Sequence, residues 1–424
     1  MRGMHVIAAV AALATSVRAD PDAATELDLE AYLAAVGRSN LSLAAQRYTI
    51  SAAEAQIGVA RLFPEPQLTA GVASFDLARS GAPTVLELGA SHTFELGGKR
   101  HGRIAVAERA VTGARHDLDD FQRTLRGQAA DAFVDALGTR LVMGSKQRTL
   151  ASLTRLVEKN EDRHRSGDIG ELPVTQARVE AERFRGDVLV AQSEVHNAEL
   201  GLGGFAGSAR RISPRGDLEA LASRAFDASA LIEAAKAHRP DVRSARAAVE
   251  LARAKQGLAI ANRRADLTVG IGYSHSSEAA GSYATIAPTP STDMVSATLS
   301  VPIPIARWRY RGELDAAIAA EGQAEAQLRA AELKVEVEIR QALARYQATV
   351  DRRKLYTGGI LTDAVKVLDA TTYNYTRGGG TLLEVIEAQR TVDDVYLAYY
   401  QALADHAHAL ISVELAAGIW DLKL

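Results

Sequence analysis

Cysteine is absent from this chain of 424 residues. Disulfide bonds, thiolate metal ligands, cysteine nucleophiles and a lipid attached to cysteine are therefore excluded. A strong charge of one sign is also lacking, because the net charge is only −3, which gives no electrostatic basis for binding nucleic acid. Aromatic residues make up 5%, and alanine supplies much of the 47% that is hydrophobic. Such a composition favours close helix packing over large globular cores.

Long apolar runs are missing as well. After the N-terminus, no segment reaches the roughly 20 apolar residues that a membrane-spanning helix needs. The first residues carry a targeting pattern, because Arg2 precedes an apolar run over residues 6–14 and Ala19 ends a small-residue cleavage motif. We therefore predict a signal peptide over residues 1–19, and export. A short buried helix is the alternative.

The residue patterns of an enzyme are not found. Serine, histidine and aspartate occur without a nucleophile elbow, and no glycine-rich loop follows a buried strand. His406 and His408 are two apart on a predicted helix, so they do not share a face. Four methionines and no cysteine offer no high-affinity metal store. We predict a protein without catalysis, cofactor or resident metal.

Proline is scarce, and none of the 11 prolines follows Pro304. Beyond it, largely apolar residues recur at three- and four-residue steps, which places a stripe along one side of a helix. We predict a helix over residues 312–376, loosened at Gly358-Gly359, and a second helix over residues 382–415. Residues 377–381 between them contain three consecutive glycines, which suit a sharp reversal. The stretch is predicted to be a long helical hairpin with a glycine tip.

The rest of the chain predicts further helices. A helix is expected over residues 29–63, after a loose N-terminus at residues 20–27. Earlier in the chain we predict another helical hairpin, with a long helix at 99–165, a tip at 166–170 and a return helix at 171–202. Glycines in its long helix weaken the case for one unbroken rod. A linker at 203–227 and one more helix at 228–264 follow this hairpin.

In two regions the spacing of apolar residues changes from about 3.6 residues, which is typical of a helix, to 2, which is typical of a strand. Residues 67–77 and 84–96, and later 267–274 and 295–303, alternate apolar residues with small or polar ones, with His92 the exception on the apolar side. Each region predicts a β-hairpin with two unlike faces. The strands approach the about 9–11 residues that cross a bilayer at a tilt. A soluble half-buried sheet is the alternative. The predicted lipid face includes Leu86, Leu88, Val269, Ile271, Ala297 and Leu299.

The two halves of the chain are related. Residues 68–71 read Leu-Thr-Ala-Gly and residues 267–270 read Leu-Thr-Val-Gly, and Gly207 aligns with Gly418. We predict two repeats, 20–227 and 228–424, each with a helix, a β-hairpin and a long helical hairpin. Four strands cannot close a barrel with an open lumen, so a channel requires several copies of the chain.

Two tip motifs carry a family resemblance. One is Arg165-Ser166-Gly167-Asp168-Ile169 with Val-Thr-Gln-Ala-Arg at residues 174–178, and the other runs from Tyr375 to Gln389. Together with the duplicated order, they make the chain resemble the TolC family of outer-membrane efflux channels. The junction at residues 94–100 resembles the CzcC-like branch, which serves heavy-metal pumps of the RND class. The second junction, 301–307, keeps Pro-x-Pro but lacks the usual Phe-Asn-Arg-Asn.

The resemblance implies a mainly α chain with a β-barrel. Duplicated long coiled-coil helical hairpins would form an α-barrel in the periplasm, and the two β-hairpins of each chain would join a trimeric twelve-stranded outer-membrane β-barrel. The implied function is a passive conduit of a tripartite efflux system. Its partners would be a periplasmic adaptor, an inner-membrane RND pump and outer-membrane lipid. The alternatives are a type I protein-secretion channel and a periplasmic coiled-coil scaffold without a pore.

The resemblance also implies roles for individual residues. Glu384 and Glu387 match acidic residues that ring the closed periplasmic entrance, and Tyr375 matches a tyrosine of the closed-state network. The alternative for the two glutamates is a solvated first helical turn, where carboxylates suit the helix dipole. Pro173 and Gly380 stand where the family's best-known member has the aspartate and arginine of its lock. The expected adaptor-docking tips are Gly167, Asp168, Gly170, Gly378, Gly379 and Gly380.

Overall fold

The computed structural model describes residues 24–74, 84–278, 290–303 and 307–422. The predicted signal peptide lies outside these residues. The helices are α1 (Leu29–Ser39), α2 (Leu41–Ala60), α3 (Lys99–Arg165), α4 (Glu171–Phe205), α5 (Ala228–His238), α6 (Pro240–Asn262), α7 (Arg307–Leu355), α8 (Leu361–Thr376) and α9 (Leu382–Ala417). The strands are β1 (Thr25–Leu27), β2 (Gln67–Ser74), β3 (Thr84–Phe94), β4 (Ile212–Pro214), β5 (Leu267–Ser276) and β6 (Thr292–Ser300).

Both long helical hairpins are confirmed. Helix α3 runs unbroken for 67 residues despite its glycines. One of these glycines serves packing, because a Cβ on Gly127 would lie 3.0 Å from the side chain of Leu415. In the other hairpin, a π-helical turn at Tyr356–Ile360 separates α7 from α8, and Gly359 adopts a φ of 149°. The predicted loosening at Gly358-Gly359 is therefore confirmed, since only glycine tolerates that backbone readily.

Two predictions of a single helix were wrong. The helix expected over residues 29–63 breaks at Asn40, whose Oδ1 accepts a hydrogen bond from Leu43 N and whose Nδ2 donates one to Phe205 O, each at 2.9 Å. A side chain that binds the backbone in this way favours a helix start over a helix interior. The helix expected over residues 228–264 breaks before Pro240, which lacks the N–H that a continuous helix needs.

The N-terminal segment and the linker also differ from expectation. Residues 25–27, predicted as loose, form β1, which pairs in parallel with β4 from the predicted linker. Each strand has three residues, so neither is long enough to show an alternating pattern. Only pairing with a segment far along the chain makes them strands.

The chain divides into two compact units. One contains Gln122–Leu231, Glu338–Leu424 and the segment up to Leu43, and the other contains Ala44–Phe121 and Ile232–Val337. Each unit takes segments from both predicted repeats. The core of the first unit holds side chains such as Phe133, Leu403 and Leu410, which are completely or almost completely buried.

The second unit carries the two β-hairpins, joined into one antiparallel sheet of order β2-β3-β5-β6. The register places Leu88 between Ala70 and Tyr273, and Val269 between His92 and Leu299. The predicted apolar positions therefore share one face, with His92 on it as expected. That face is largely exposed in a single chain, where Ile271 is 67% and Leu299 is 71% exposed.

Glycines at equivalent places in the two halves share an unusual backbone. Gly167 and Gly378, at the two tips, have φ values of 83° and 80°. Gly207 and Gly418, just after α4 and α9, have φ values of 69° and 70°. These matched left-handed conformations agree with a duplicated chain.

Substitution of Gly207 tests this backbone requirement. Alanine there would adopt a positive φ and place its Cβ against the carbonyl oxygen of Ser39, so we expect Gly207→Ala to lower stability by about 1–3 kcal/mol. Gly201 is the matched control, because it lies inside α4 with nothing within 4 Å of a Cβ. Gly201→Ala should be neutral or stabilising. Thermal unfolding of the detergent-solubilised protein measures both, and equal shifts would contradict the assignment.

Candidate functional site at the hairpin tips

The first tip is a tight reversal between α3 and α4. Gly167 N donates to His164 O at 3.0 Å, and Asp168 N donates to Arg163 O at 2.8 Å. Ser166 Oγ donates to the Asp168 carboxylate at 3.0 Å. The left-handed glycine thus closes α3 and satisfies carbonyls that the helix end leaves free. The Asp168 carboxylate therefore accepts a hydrogen bond from within the tip itself.

The second tip joins α8 to α9 and ends in a capping box. Thr381 Oγ1 accepts from Glu384 N at 3.3 Å, and Thr381 N donates to Glu384 Oε2 at 3.2 Å. This reciprocal pair satisfies two backbone donors at the start of α9. A Cβ on Gly380 would lie 2.9 Å from Glu384 Oε2. Glycine at that position leaves room for the capping carboxylate.

Glu384 and Glu387 are both exposed on the first turns of α9. The capping box gives Glu384 a local structural role at the start of α9. Glu387 lies one turn before Arg390 and contributes to a raised pKa of that guanidinium, after the larger effect of a hydrogen bond to Glu180. The structure thus brings the two predicted entrance residues together. Their arrangement around an axis stays a prediction.

Tyr375 is placed differently from these glutamates. Its ring is buried with Leu382, Val385 and other apolar residues from both hairpins. Its hydroxyl donates to Asn160 Oδ1 at 2.9 Å, and burial raises the pKa of Tyr375. The Arg163 guanidinium lies 5.2 Å from the ring centre. Tyr375 therefore ties the two hairpins together inside one chain.

An ion pair with a buried carboxylate was missed in the sequence. The Glu180 side chain is only 8% exposed, and both its oxygens accept from Arg390, at 3.0 and 2.9 Å. The hydrogen bond from Arg390 holds the pKa of Glu180 below its ordinary value, although burial opposes this effect. The partners lie 210 residues apart, so no local pattern links them. The pair joins α4 to α9.

His408 was also missed as part of an interhelical contact. Its Nδ1 lies 2.7 Å from Asp131 Oδ1, and its Nε2 lies 2.9 Å from Asp135 Oδ1. Burial lowers the pKa of His408, but the hydrogen bonds to Asp131 and Asp135 and the charges of these carboxylates together outweigh it and raise the pKa to about 9. His406 has other surroundings: it stacks on Tyr346 at 5.1 Å, and burial lowers its pKa to about 4.

The His408 contact links α9 to α3 through charge and does not gather ligands. The two ring nitrogens point to carboxylates on opposite edges, so Asp131, Asp135 and the imidazole do not converge on one point. Among the described residues, no group of three or more His, Asp or Glu side chains is placed to hold a metal ion. None of the helices in that part of the chain has the length and apolar character needed to span a membrane.

The raised pKa of His408 predicts a pH-dependent stability. A histidine whose pKa rises on folding stabilises the folded state fully below about pH 6.5, and this contribution is lost as the pH rises through about 9. The loss is at most about 3 kcal/mol. We expect the thermal midpoint to fall more between pH 6.5 and about 9.5 in the unaltered protein than in His408→Gln. His101→Gln, at an exposed histidine of α3, should keep the full pH dependence. Identical profiles for all three proteins would contradict the charged contact.

Comparisons with known proteins agree with this architecture. The family model described as outer membrane efflux protein matches residues 34–208 and 231–419. The cobalt-zinc-cadmium resistance protein CzcC of Cupriavidus metallidurans is 27% identical over 403 residues, covering 94% of this chain and 91% of the relative. The solved structure of CusC superposes with a TM-score of 0.74 at 20% identity, covering 92% of each chain. The outer membrane channel CmeC of Campylobacter jejuni gives 0.72 at 14% identity, covering 92% of this chain and 85% of that one. Because the family model matches most of its length, this chain belongs to the outer membrane efflux protein family.

Proposed function

We propose that this chain forms the outer-membrane conduit of a tripartite efflux system and passes divalent heavy-metal cations. As a member of its family, the chain is an efflux protein of the outer membrane and not an enzyme. The observation that carries the conduit is the sheet, with one largely apolar face and one small or polar face. The cargo rests on similarity to a protein named for resistance to cobalt, zinc and cadmium.

The sheet explains why several copies are needed. Strands β2 and β6 lie at its two edges. A bilayer offers no water to hydrogen-bond an open edge, so each edge must pair. Because β2 and β6 are different strands, pairing β2 of one copy with β6 of the next gives a ring. Three copies would supply twelve strands, and the homotrimer of the family resemblance is the assembly proposed.

The helical hairpins supply the contacts proposed for the inner-membrane side. Gly167 and Gly378 hold tight reversals, and nothing lies within 4 Å of a Cβ at either position. Such uncrowded tips suit close approach by another protein's backbone. We propose that they dock a periplasmic adaptor, which connects the conduit to an RND pump of the inner membrane.

The two other functions remain as alternatives. A periplasmic scaffold without a pore is disfavoured, because it would expose the apolar sheet face to water at a cost of roughly 25 cal/mol per Å². A type I secretion channel would use the same sheet and hairpins, so the exported cargo has to distinguish it from a metal-efflux conduit. No observation on the described residues favours that alternative.

Growth of a deletion strain tests the cargo. We expect loss of this protein to sensitise cells to cobalt, zinc and cadmium ions, and a plasmid copy to restore growth. Dyes and detergents serve as comparison toxicants, and the culture supernatant is examined for missing secreted proteins. Unchanged metal tolerance with loss of a secreted protein would overturn the metal proposal and favour the secretion channel.

Arginine placed on either face tests the lipid-facing assignment. Leu88→Arg would put a charge among apolar neighbours, which costs about 2–4 kcal/mol at the middle of a bilayer in such barrels, so assembly in the outer membrane should fail. Thr298→Arg is the control, because Thr298 lies on the polar face opposite Gly270, and assembly should survive. Heat-modifiable migration and membrane fractionation measure both. If the variants assembled equally well, the two faces would not differ as proposed.

The entrance prediction is tested by removing charge while keeping the helix cap. Glutamine can replace glutamate in a capping box, so Glu384→Gln/Glu387→Gln should fold normally. If copies of these carboxylates surround one axis, they attract cations, and the variant should show lower cation-over-anion selectivity in planar bilayers. Glu384→Asp/Glu387→Asp keeps the charge and should behave like the unaltered protein. Selectivity that does not change in the glutamine variant would leave Glu384 with its capping role alone.

A further inference from the structure

The polar face of the sheet carries a single ionisable side chain in its described part. By register this face contains glycine, alanine, serine, threonine and a few other uncharged residues. Glu87 is the exception. It lies on β3 directly between Gly71 of β2 and Ser274 of β5. A carboxylate on an otherwise uncharged wall dominates the local potential, because no second charge on that wall offsets it.

The surroundings of Glu87 leave its carboxylate open. Its Oε2 lies 4.0 Å from the position that a Cβ on Gly71 would take, so the side chain extends over a glycine. Glu87 is exposed, and no ion-pair partner is found for it among the residues that the structure describes. A shallow concavity of about 280 Å³ has Glu87, Thr69, Ser91 and Ser274 among its lining residues. By register, these hydroxyl-bearing residues lie on the same face of the sheet as the carboxylate.

Oxygen ligands of this kind suit transit rather than storage. Carboxylate and hydroxyl oxygens hold hydrated divalent cations weakly, whereas zinc and cobalt sites of high affinity use imidazole or thiolate. A conduit requires an attraction that is strong enough for entry and weak enough for release. If three copies of the sheet surround one lumen, three Glu87 carboxylates face it at the same level. Rings of carboxylates are a common source of cation selectivity.

We propose that Glu87 is a specificity-determining residue that makes the membrane portion of the conduit selective for cations. The inference rests on the proposed function, because it requires the polar face to line a lumen. It differs from the predicted entrance at Glu384 and Glu387, which lies on α9 in the other compact unit. The charge on β3 acts on cations within the lumen that the sheets would enclose.

The absence of cysteine allows a direct test. Glu87→Cys and Leu88→Cys each introduce the only thiol of the chain at neighbouring positions that point to opposite faces. Single channels are recorded in planar bilayers before and after adding an anionic methanethiosulfonate, carrying sulfonate, or a cationic one, carrying trimethylammonium. Glu87→Gln, which keeps the shape of the side chain, serves as a second variant should the thiol variant fail to assemble.

The charge at position 87 is expected to determine the potassium-over-chloride permeability ratio. Glu87→Cys and Glu87→Gln should lower the potassium-over-chloride permeability ratio by about twofold or more. The anionic reagent should restore the ratio in Glu87→Cys, and the cationic reagent should lower it further. Glu87→Asp should keep the ratio of the unaltered protein. Leu88→Cys should not respond to either charged reagent, because its side chain faces lipid.

The outcomes separate this inference from the proposed function. Conducting pores whose selectivity is the same with glutamate, glutamine or modified cysteine at position 87 would overturn the role of Glu87 and leave the conduit intact. Failure of the unaltered protein to form any pore would overturn both. A response of Leu88→Cys equal to that of Glu87→Cys would show that the two faces of the sheet are not distinguished by lipid and water, and would also overturn the inference.

Discussion

The apolar face of the four-stranded sheet is the constraint on which the other features depend. Large side chains such as Leu68 and Leu299 are mostly exposed in one chain, and the edge strands β2 and β6 each pair with a single strand among the described residues. Exposure of the apolar side chains to water costs hydrophobic free energy. An unpaired strand edge in lipid leaves backbone N–H and C=O groups without hydrogen bonds. Membership of an outer membrane efflux family fits both requirements, since the ring of copies that we propose would cover the face and pair the edges in a bilayer.

The helical portion depends on a different kind of contact. Long helices rich in alanine bury little apolar area per residue, so charged and polar pairs between distant segments add to their association. Glu180 with Arg390, His408 with two aspartates, and Tyr375 with Asn160 each join helices from opposite halves of the chain. Two of these contacts lie close to the tips. They set the geometry of the region in which Glu384 and Glu387 are exposed.

Features that depend on residues close together in the sequence were mostly predictable, whereas a feature that depends on a distant contact was not. The glycine tips were predictable because a left-handed residue such as Gly378 is required by the local backbone. The sheet faces were predictable because alternation with period 2 is a property of consecutive residues. The break at Asn40 was not, because its side chain also binds Phe205, 165 residues away. The break before Pro240 had a local signal in the proline itself, which lacks the N–H of a helix interior.

The residue patterns alone predict the order of helices and β-hairpins, the two hairpin tips, and the apolar and polar sides of the four strands that form the sheet. These features arise from backbone preferences and periodicities within a few residues. The fold was needed to show that β3 pairs with β5, that Tyr375 is buried against Asn160, and that Glu87 lies over Gly71 without an ion-pair partner in the described residues. The physical reason is that pairing, burial and charge isolation depend on residues brought together from distant parts of the chain, and one-dimensional patterns do not record which distant residues meet.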